Sequence, residues 1–296
     1  MPAPQRNADH PAKSPLRRVA IVLAIVAALL AVTLALAPVI APLFLYLPTH
    51  DAAAREALLA REDVEPLTIE SGDAVLAGYF YHAGEAPGPV ILYFNGNHEN
   101  ASAFMARLLE CPQVLEVFSG CHFAQVDYPS YGLSTGTPSG DAYRRMALDV
   151  YDALANREDV TDIIVLGYSI GTGPAQYCAA NRPVSGLILL APYASGVDLF
   201  NNIVPVFHGP LEALVCYDMP SITYAADITV SPLVFATPED HLVPYPSTVR
   251  LTETYPAGCT FITVPGIDHK GFLTQDIVLD EMTRYIRGIT GRPLAD

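Results

Sequence analysis

An uncharged run, Ile163-Ile164-Val165-Leu166, passes without a spacer into Gly167-Tyr168-Ser169-Ile170-Gly171. A short β-branched run that ends on glycine calls for a buried strand. Glycines two before and two after Ser169 let a helix approach that strand closely across a strained turn, with the helix N-terminus beneath any negative charge that develops at the serine. A strand, a sharp turn and a helix in that order belong to a sheet packed between helices.

The rest of the chain repeats this rhythm. Residues 67–70 and 75–82 alternate apolar and polar side chains, with Ser71-Gly72-Asp73 as the turn of an antiparallel pair. Residues 89–94 are apolar almost throughout, which suits a strand covered on both faces. Strands are then expected at 124–127, 163–167, 186–190, 232–236 and 260–264. Helices are expected at 141–156, 170–180, 246–255 and 275–287. The alternation predicts an α/β fold, a mainly parallel sheet with helices on both faces, and a ligand site at the carboxyl ends of its strands. Residues 194–228, with Pro205, Pro210 and Pro220, interrupt the rhythm and read as a small cap holding a helix near 211–216.

Hydrophobic residues make up 51% of the 296 and charged ones 16%, enough for one large core and too apolar for disorder. The formal net charge of -15 excludes a nucleic-acid partner, which requires a basic face. Before the domain, residues 19–37 carry no charge and one polar side chain, Thr33, and the apolar character extends to 47. That is about the twenty residues a membrane-crossing helix needs. Arg6, Lys13, Arg17 and Arg18 precede it, so the expectation is a single-pass signal anchor over 19–47, a cytoplasmic N-terminus at 1–18 and an extracytoplasmic catalytic domain. The competing reading, a signal peptide cleaved after Ala35-Leu36-Ala37, is disfavoured by Pro38 and by the length of the run. Residues 48–65 are a connector, and the folded domain spans 66–296.

A second G-x-S-x-G, Gly132-Leu133-Ser134-Thr135-Gly136, lacks the strand before it and the helix after it. Ser134 is therefore expected to be a loop residue beside the site. A serine hydroxyl at neutral pH needs a histidine base and a carboxylate to orient that base. The strand at 232–236 is followed by Thr237-Pro238-Glu239-Asp240-His241, and the strand at 260–264 by Pro265-Gly266-Ile267-Asp268-His269. Ser169, Asp240 and His269 thus stand in the chain order such a sheet requires. Glu239 is the second candidate acid, while Asp268 is too near His269 in sequence to face it. An oxyanion needs two N–H donors, and Ile170, next to the serine, supplies one. The other is expected from Asn97, in the loop Asn95-Gly96-Asn97-His98-Glu99-Asn100.

The five cysteines form no C-x-x-C pair and do not cluster with histidines, so no metal and no cofactor is expected. Buried free thiols are the default; Cys111 with Cys121 and Cys216 with Cys259 are the candidate disulfides of an exported domain. Asn100-Ala101-Ser102 matches a glycosylation sequon, in a loop where a glycan would obstruct the site.

Tyr93-Phe94-Asn95-Gly96-Asn97, Asp127-Tyr128-Pro129-Ser130-Tyr131-Gly132-Leu133-Ser134, Gly167-Tyr168-Ser169-Ile170-Gly171, Asp240-His241-Leu242-Val243-Pro244 and Gly266-Ile267-Asp268-His269 together resemble the alpha/beta-hydrolase superfamily. They are most similar to its domain-containing proteins, which include membrane-associated depalmitoylases. The chain departs from them at Asn95, where a histidine is usual, and at Pro129, where an arginine is usual. The resemblance implies an alpha/beta-hydrolase fold and a membrane-anchored serine hydrolase acting on acyl esters or thioesters, lipid-like ones included. A peptidase of the same superfamily, or a non-catalytic binder of lipid or protein, are the rival readings.

Overall fold

The computed structural model describes residues 15–45, 49, 51–84, 87–203, 205–215, 217 and 219–291. A helix α1 (Pro15–Leu45) precedes a short helix α2 (Ala52–Leu59), capped by the Asp51 carboxylate accepting from the Ala54 N–H. Strands β1 (Val64–Ser71) and β2 (Ala74–Tyr81) form the antiparallel pair, with the turn at the expected place. Pro66 is tolerated because β1 is the sheet's edge. The central strand β3 (Gly88–Phe94) is buried along its whole length. Helices α3 (Ala101–Glu110) and α4 (Pro112–Val117) lead to β4 (His122–Val126).

Helix α5 (Gly140–Ala155) then returns the chain to β5 (Val160–Tyr168) and α6 (Thr172–Asn181). Strand β6 (Gly186–Leu190) is followed by α7 (Gly196–Ile203), a 3-10 turn at Gly209–Leu214 and α8 (Ser221–Ala225). The last elements are β7 (Leu233–Ala236), α9 (Tyr245–Thr252), β8 (Thr260–Thr263) and α10 (Asp276–Thr290).

The eight strands form one sheet in the order β1-β2-β4-β3-β5-β6-β7-β8. From β4 to β8 every neighbouring pair is parallel, and β2 runs antiparallel to both its partners. Helices α3, α4 and α10 cover one face, while α5, α6, α8 and α9 cover the other. Leu92, Val165, Ile188 and Val234, one from each of four neighbouring strands, are fully buried. Each such side chain stabilises the fold by about 1.5–3 kcal/mol.

Two expectations are corrected. Among the described residues no helix is long and apolar enough to cross a membrane. The single-pass anchor, its signal-anchor role and the inside-outside orientation built on it are therefore withdrawn; Arg6 and Lys13 lie outside the described residues. The disulfides are the second: Cys111 and Cys259 are free thiols, so neither candidate pairing forms, and Cys216 lies outside the described residues.

Smaller differences have local causes. The first strand begins at Val64 rather than 67 because Val64 to Ser71 pair in unbroken register with β2. The segment 51–60 forms a helix whose Leu58 is buried in the main core. In the cap, the expected helix near 211–216 is a 3-10 turn at Gly209–Leu214, and helix α7 lies ahead of it.

Candidate active site

The parallel strands all point the same way, so the turns at their carboxyl ends gather on one edge of the sheet. Ser169 follows β5 directly and has φ +53°, a left-handed conformation unusual for a residue with a side chain. The turn is enforced by its surroundings: a Cβ at Gly171 would lie 2.1 Å from the Phe94 carbonyl oxygen and 2.5 Å from that of Asn95. Only glycine lets the elbow sit on the end of β3, which brings the loop at 95–99 against Ser169. Backbone strain of this kind persists where packing over-determines it, and it clusters at reactive groups.

Three side chains from three strand ends join in one hydrogen-bonded chain. His269 Nε2 is 2.8 Å from Ser169 Oγ, and His269 Nδ1 is 2.7 Å from Asp240 Oδ2. The other carboxylate oxygen, Asp240 Oδ1, accepts the N–H groups of Leu242 and Val243, each at 2.8 Å. With its side chain 2% exposed and both oxygens engaged, Asp240 is locked in orientation. Ser169 itself is half-buried and reachable. Glu239 points elsewhere: its Oε2 accepts from the Thr237 hydroxyl at 2.7 Å, and that bond holds its pKa below the usual carboxylate range.

The loop after β3 is pinned from several sides. The Tyr128 hydroxyl donates to the Asn95 carbonyl and the Tyr131 hydroxyl to Asn97 Oδ1, both at 2.6 Å. Glu99 Oε2 accepts from the Gly96 N–H at 3.2 Å and from the Tyr93 hydroxyl at 2.9 Å. Asn95, buried, donates to the carbonyls of Gly96 and Glu99. Asn100 caps α3 by accepting from the Ala103 N–H, which accounts for this asparagine without a glycan.

The second G-x-S-x-G has a different fate. Ser134 is buried; its Oγ accepts from the Ala77 N–H at 2.9 Å and donates to the Asp127 carbonyl at 2.8 Å, stitching its loop to β2. A Cβ at Gly132, where φ is +49°, would collide with the Asp127 carboxylate at 1.8 Å. That carboxylate in turn accepts the Ala101 N–H at the start of α3. The second motif is thus built for packing.

No family model matches the chain. An uncharacterized protein of Mycobacterium tuberculosis is 29% identical over 240 residues, 79% of this chain and 82% of that one. The alpha/beta hydrolase domain-containing protein aho-3 of Caenorhabditis elegans is 26% identical over 168 residues, 56% of this chain and 49% of its own length. The solved structure of the esterase Pf2001 of Pyrococcus furiosus superposes with a TM-score of 0.65 at 15% identity, covering 83% of this chain and 97% of that one. The chain has the alpha/beta-hydrolase fold, and its sequence is similar to proteins named for that domain.

In this hydrolase several groups around the elbow carry no sequence signal. The Thr172 hydroxyl donates to the Ser169 carbonyl at 2.7 Å, and the hydroxyls of Tyr217 and Tyr193 converge on the Ile170 carbonyl at 2.7 and 3.1 Å. Tyr168 stacks on His269 and donates to its carbonyl. Thr172 and Tyr168 sit inside or beside the motif, where their residue types are unconstrained by its pattern. Tyr217 comes from the cap segment and Tyr193 stands just before it, both well along the chain from the motif. A cavity of about 860 Å³ opens beneath that segment, lined by Asp198, Asn202, Tyr217, Met219, Pro244 and Arg250 among others. None of Ser169, Asp240 and His269 lines it, so it adjoins the elbow through Tyr217 rather than containing the reacting groups.

Proposed function

We propose that this hydrolase is a serine hydrolase that cleaves carboxylic acyl esters or thioesters through an acyl-enzyme. The observation that carries the reading is the unbroken hydrogen-bonded chain from Ser169 through His269 to Asp240, with the serine in a left-handed turn. The ester preference is taken from the esterase neighbour. In this reading residues 66–296 are the catalytic domain, and 194–228 form its small cap.

Ser169 Oγ attacks the acyl carbon while His269 Nε2 takes the hydroxyl proton. Asp240 holds the imidazole in the tautomer with hydrogen on Nδ1 and favours the imidazolium that forms. The N–H groups of Ile170 and Asn97 face the carbonyl oxygen as it gains charge, the kind of contact that contributes about 3–4 kcal/mol per donor to a transition state. Collapse of the tetrahedral adduct expels the alcohol or thiol, which receives the proton from His269. Water then repeats the sequence on the acyl-serine and releases the acid.

The test is covalent labelling. A fluorophosphonate probe is expected to label the wild type and to leave Ser169→Ala unlabelled, with Ser134→Ala labelled like the wild type. Equal labelling of Ser169→Ala and wild type would overturn the proposal. Kinetics on matched esters and thioesters of graded acyl length then rank the substrates.

A further inference from the structure

Tyr168 occupies the variable position between Gly167 and Ser169, and acyl transfer by the triad does not call for a tyrosine there. It nevertheless touches both halves of the site. Its hydroxyl donates to the His269 backbone carbonyl at 2.7 Å, 101 residues away. Its ring stacks on the His269 imidazole, with centroids 5.3 Å apart and planes 25° from parallel. The same ring fills the space beside Gly96 in the loop after β3, where a Cβ would stand 2.9 Å from Tyr168 Cδ1.

These contacts meet a geometric need. The hydrogen bonds at Nδ1 and Nε2 hold the imidazole along one line, and they leave the ring free to tilt about that line. His269 also belongs to the loop after β8, an edge strand in which no residue is fully buried. A stacked ring blocks the tilt, and a hydrogen bond to the His269 carbonyl anchors the main chain from which the imidazole projects. Burial, with the charges of Glu99, Asp240 and Asp268 adding to it, raises the Tyr168 pKa and keeps its hydroxyl a donor.

We propose that Tyr168 is a positioning residue that holds the His269 imidazole in attack geometry and sets the loop bearing Asn97 against it. The proposal rests on the triad reading above. Proton transfer tolerates little misplacement: a displacement of about 1 Å in a catalytic group costs on the order of a hundredfold in rate.

The experiment compares Tyr168→Phe and Tyr168→Leu with the wild type in p-nitrophenyl butyrate hydrolysis, with circular dichroism as the check of folding. Tyr168→Phe keeps the stacked ring and loses the carbonyl bond; its kcat is expected to fall about threefold to tenfold with KM within about twofold. Tyr168→Leu loses both contacts, and its kcat is expected to fall about a hundredfold with KM again nearly unchanged. A folded Tyr168→Leu with near-wild-type kcat, or a loss confined to KM, overturns the proposal. If Tyr168→Leu does not fold, Tyr168→Phe decides, and an unchanged kcat there overturns it. Ser169→Ala is run alongside. Wild-type hydrolysis by Ser169→Ala defeats the triad reading itself, whereas an inactive Ser169→Ala beside a fully active Tyr168→Leu defeats the positioning role alone.

Discussion

The Thr172 hydroxyl donates to the Ser169 carbonyl at 2.7 Å, and that carbonyl belongs to the same peptide group as the Ile170 N–H. A bond to one end of a peptide orients the other end and polarises it, so a side chain on the first turn of α6 aims the proposed oxyanion donor. Thr172→Val preserves shape and removes this bond. The expected result is a kcat lower by about tenfold at unchanged KM, less than the hundredfold or more that follows loss of a donor outright. Steady-state kinetics on one activated ester measure it, and an unchanged kcat refutes it.

Ser134 and Ser169 share a motif and differ in what their hydroxyls bond. Ser134→Ala leaves the half-buried Ala77 N–H without its acceptor, which costs about 1 kcal/mol of stability. Its kcat and KM are expected to stay within about twofold of wild type, and urea denaturation to show the loss. A large fall in kcat would give Ser134 a chemical role instead.

Two glycines are expected to answer opposite ways to alanine. A Cβ at Gly171 meets the Phe94 carbonyl oxygen at 2.1 Å, backbone against backbone, and neither partner can swing away. Gly171→Ala is expected to cost about 3–5 kcal/mol or to prevent folding. At Gly288, within α10, a Cβ meets nothing within 4 Å. Gly288→Ala is expected to stabilise by about 0.5–1 kcal/mol through the lower helix propensity of glycine. Thermal unfolding of both variants checks the pair.

At the opposite edge of the sheet, Arg157 lies 4.1 Å above the Phe80 ring and bonds the carboxylates of Glu65 and Asp159. These bonds hold both acids below their ordinary values of 4.5 and 3.8. A depressed folded-state pKa contributes stability that is present in full above the unfolded value and is lost as pH falls through the folded one. Arg157→Gln is therefore expected to lower the melting temperature at pH 7 by a few degrees. The gap from wild type should close as pH drops below about 4. A gap independent of pH between 7 and 3 would show that packing on Phe80, rather than the two ion pairs, carries the effect.

Much of the site was legible because its residues obey rules of sequence order. Ser169, Asp240 and His269 each stand just past an apolar run, and a parallel sheet brings all such positions to one edge. The buried strands were legible in a similar way: β3 and β6 are continuous apolar runs, which calls for cover on both faces. The reading of residues 19–47 as a bilayer span failed because, among the described residues, no helix is both long and apolar enough to cross a membrane. The disulfides failed because spacing in sequence says nothing of whether two thiols face each other.

The amino-acid sequence alone determined the alternation of strands and helices, the turn at Ser169, and the order in which Asp240 and His269 follow it. These depend on local pattern, since a strand's burial and a turn's glycine are written in adjacent residues. The tertiary structure alone decided which carboxylate meets His269, what the Ser134 hydroxyl bonds, and that Thr172, Glu99, Tyr168 and Tyr217 brace the elbow and its neighbouring loop. Those are contacts between side chains whose meeting depends on rotamer and on the close approach of β3 to the turn after β5, which no spacing along the chain encodes.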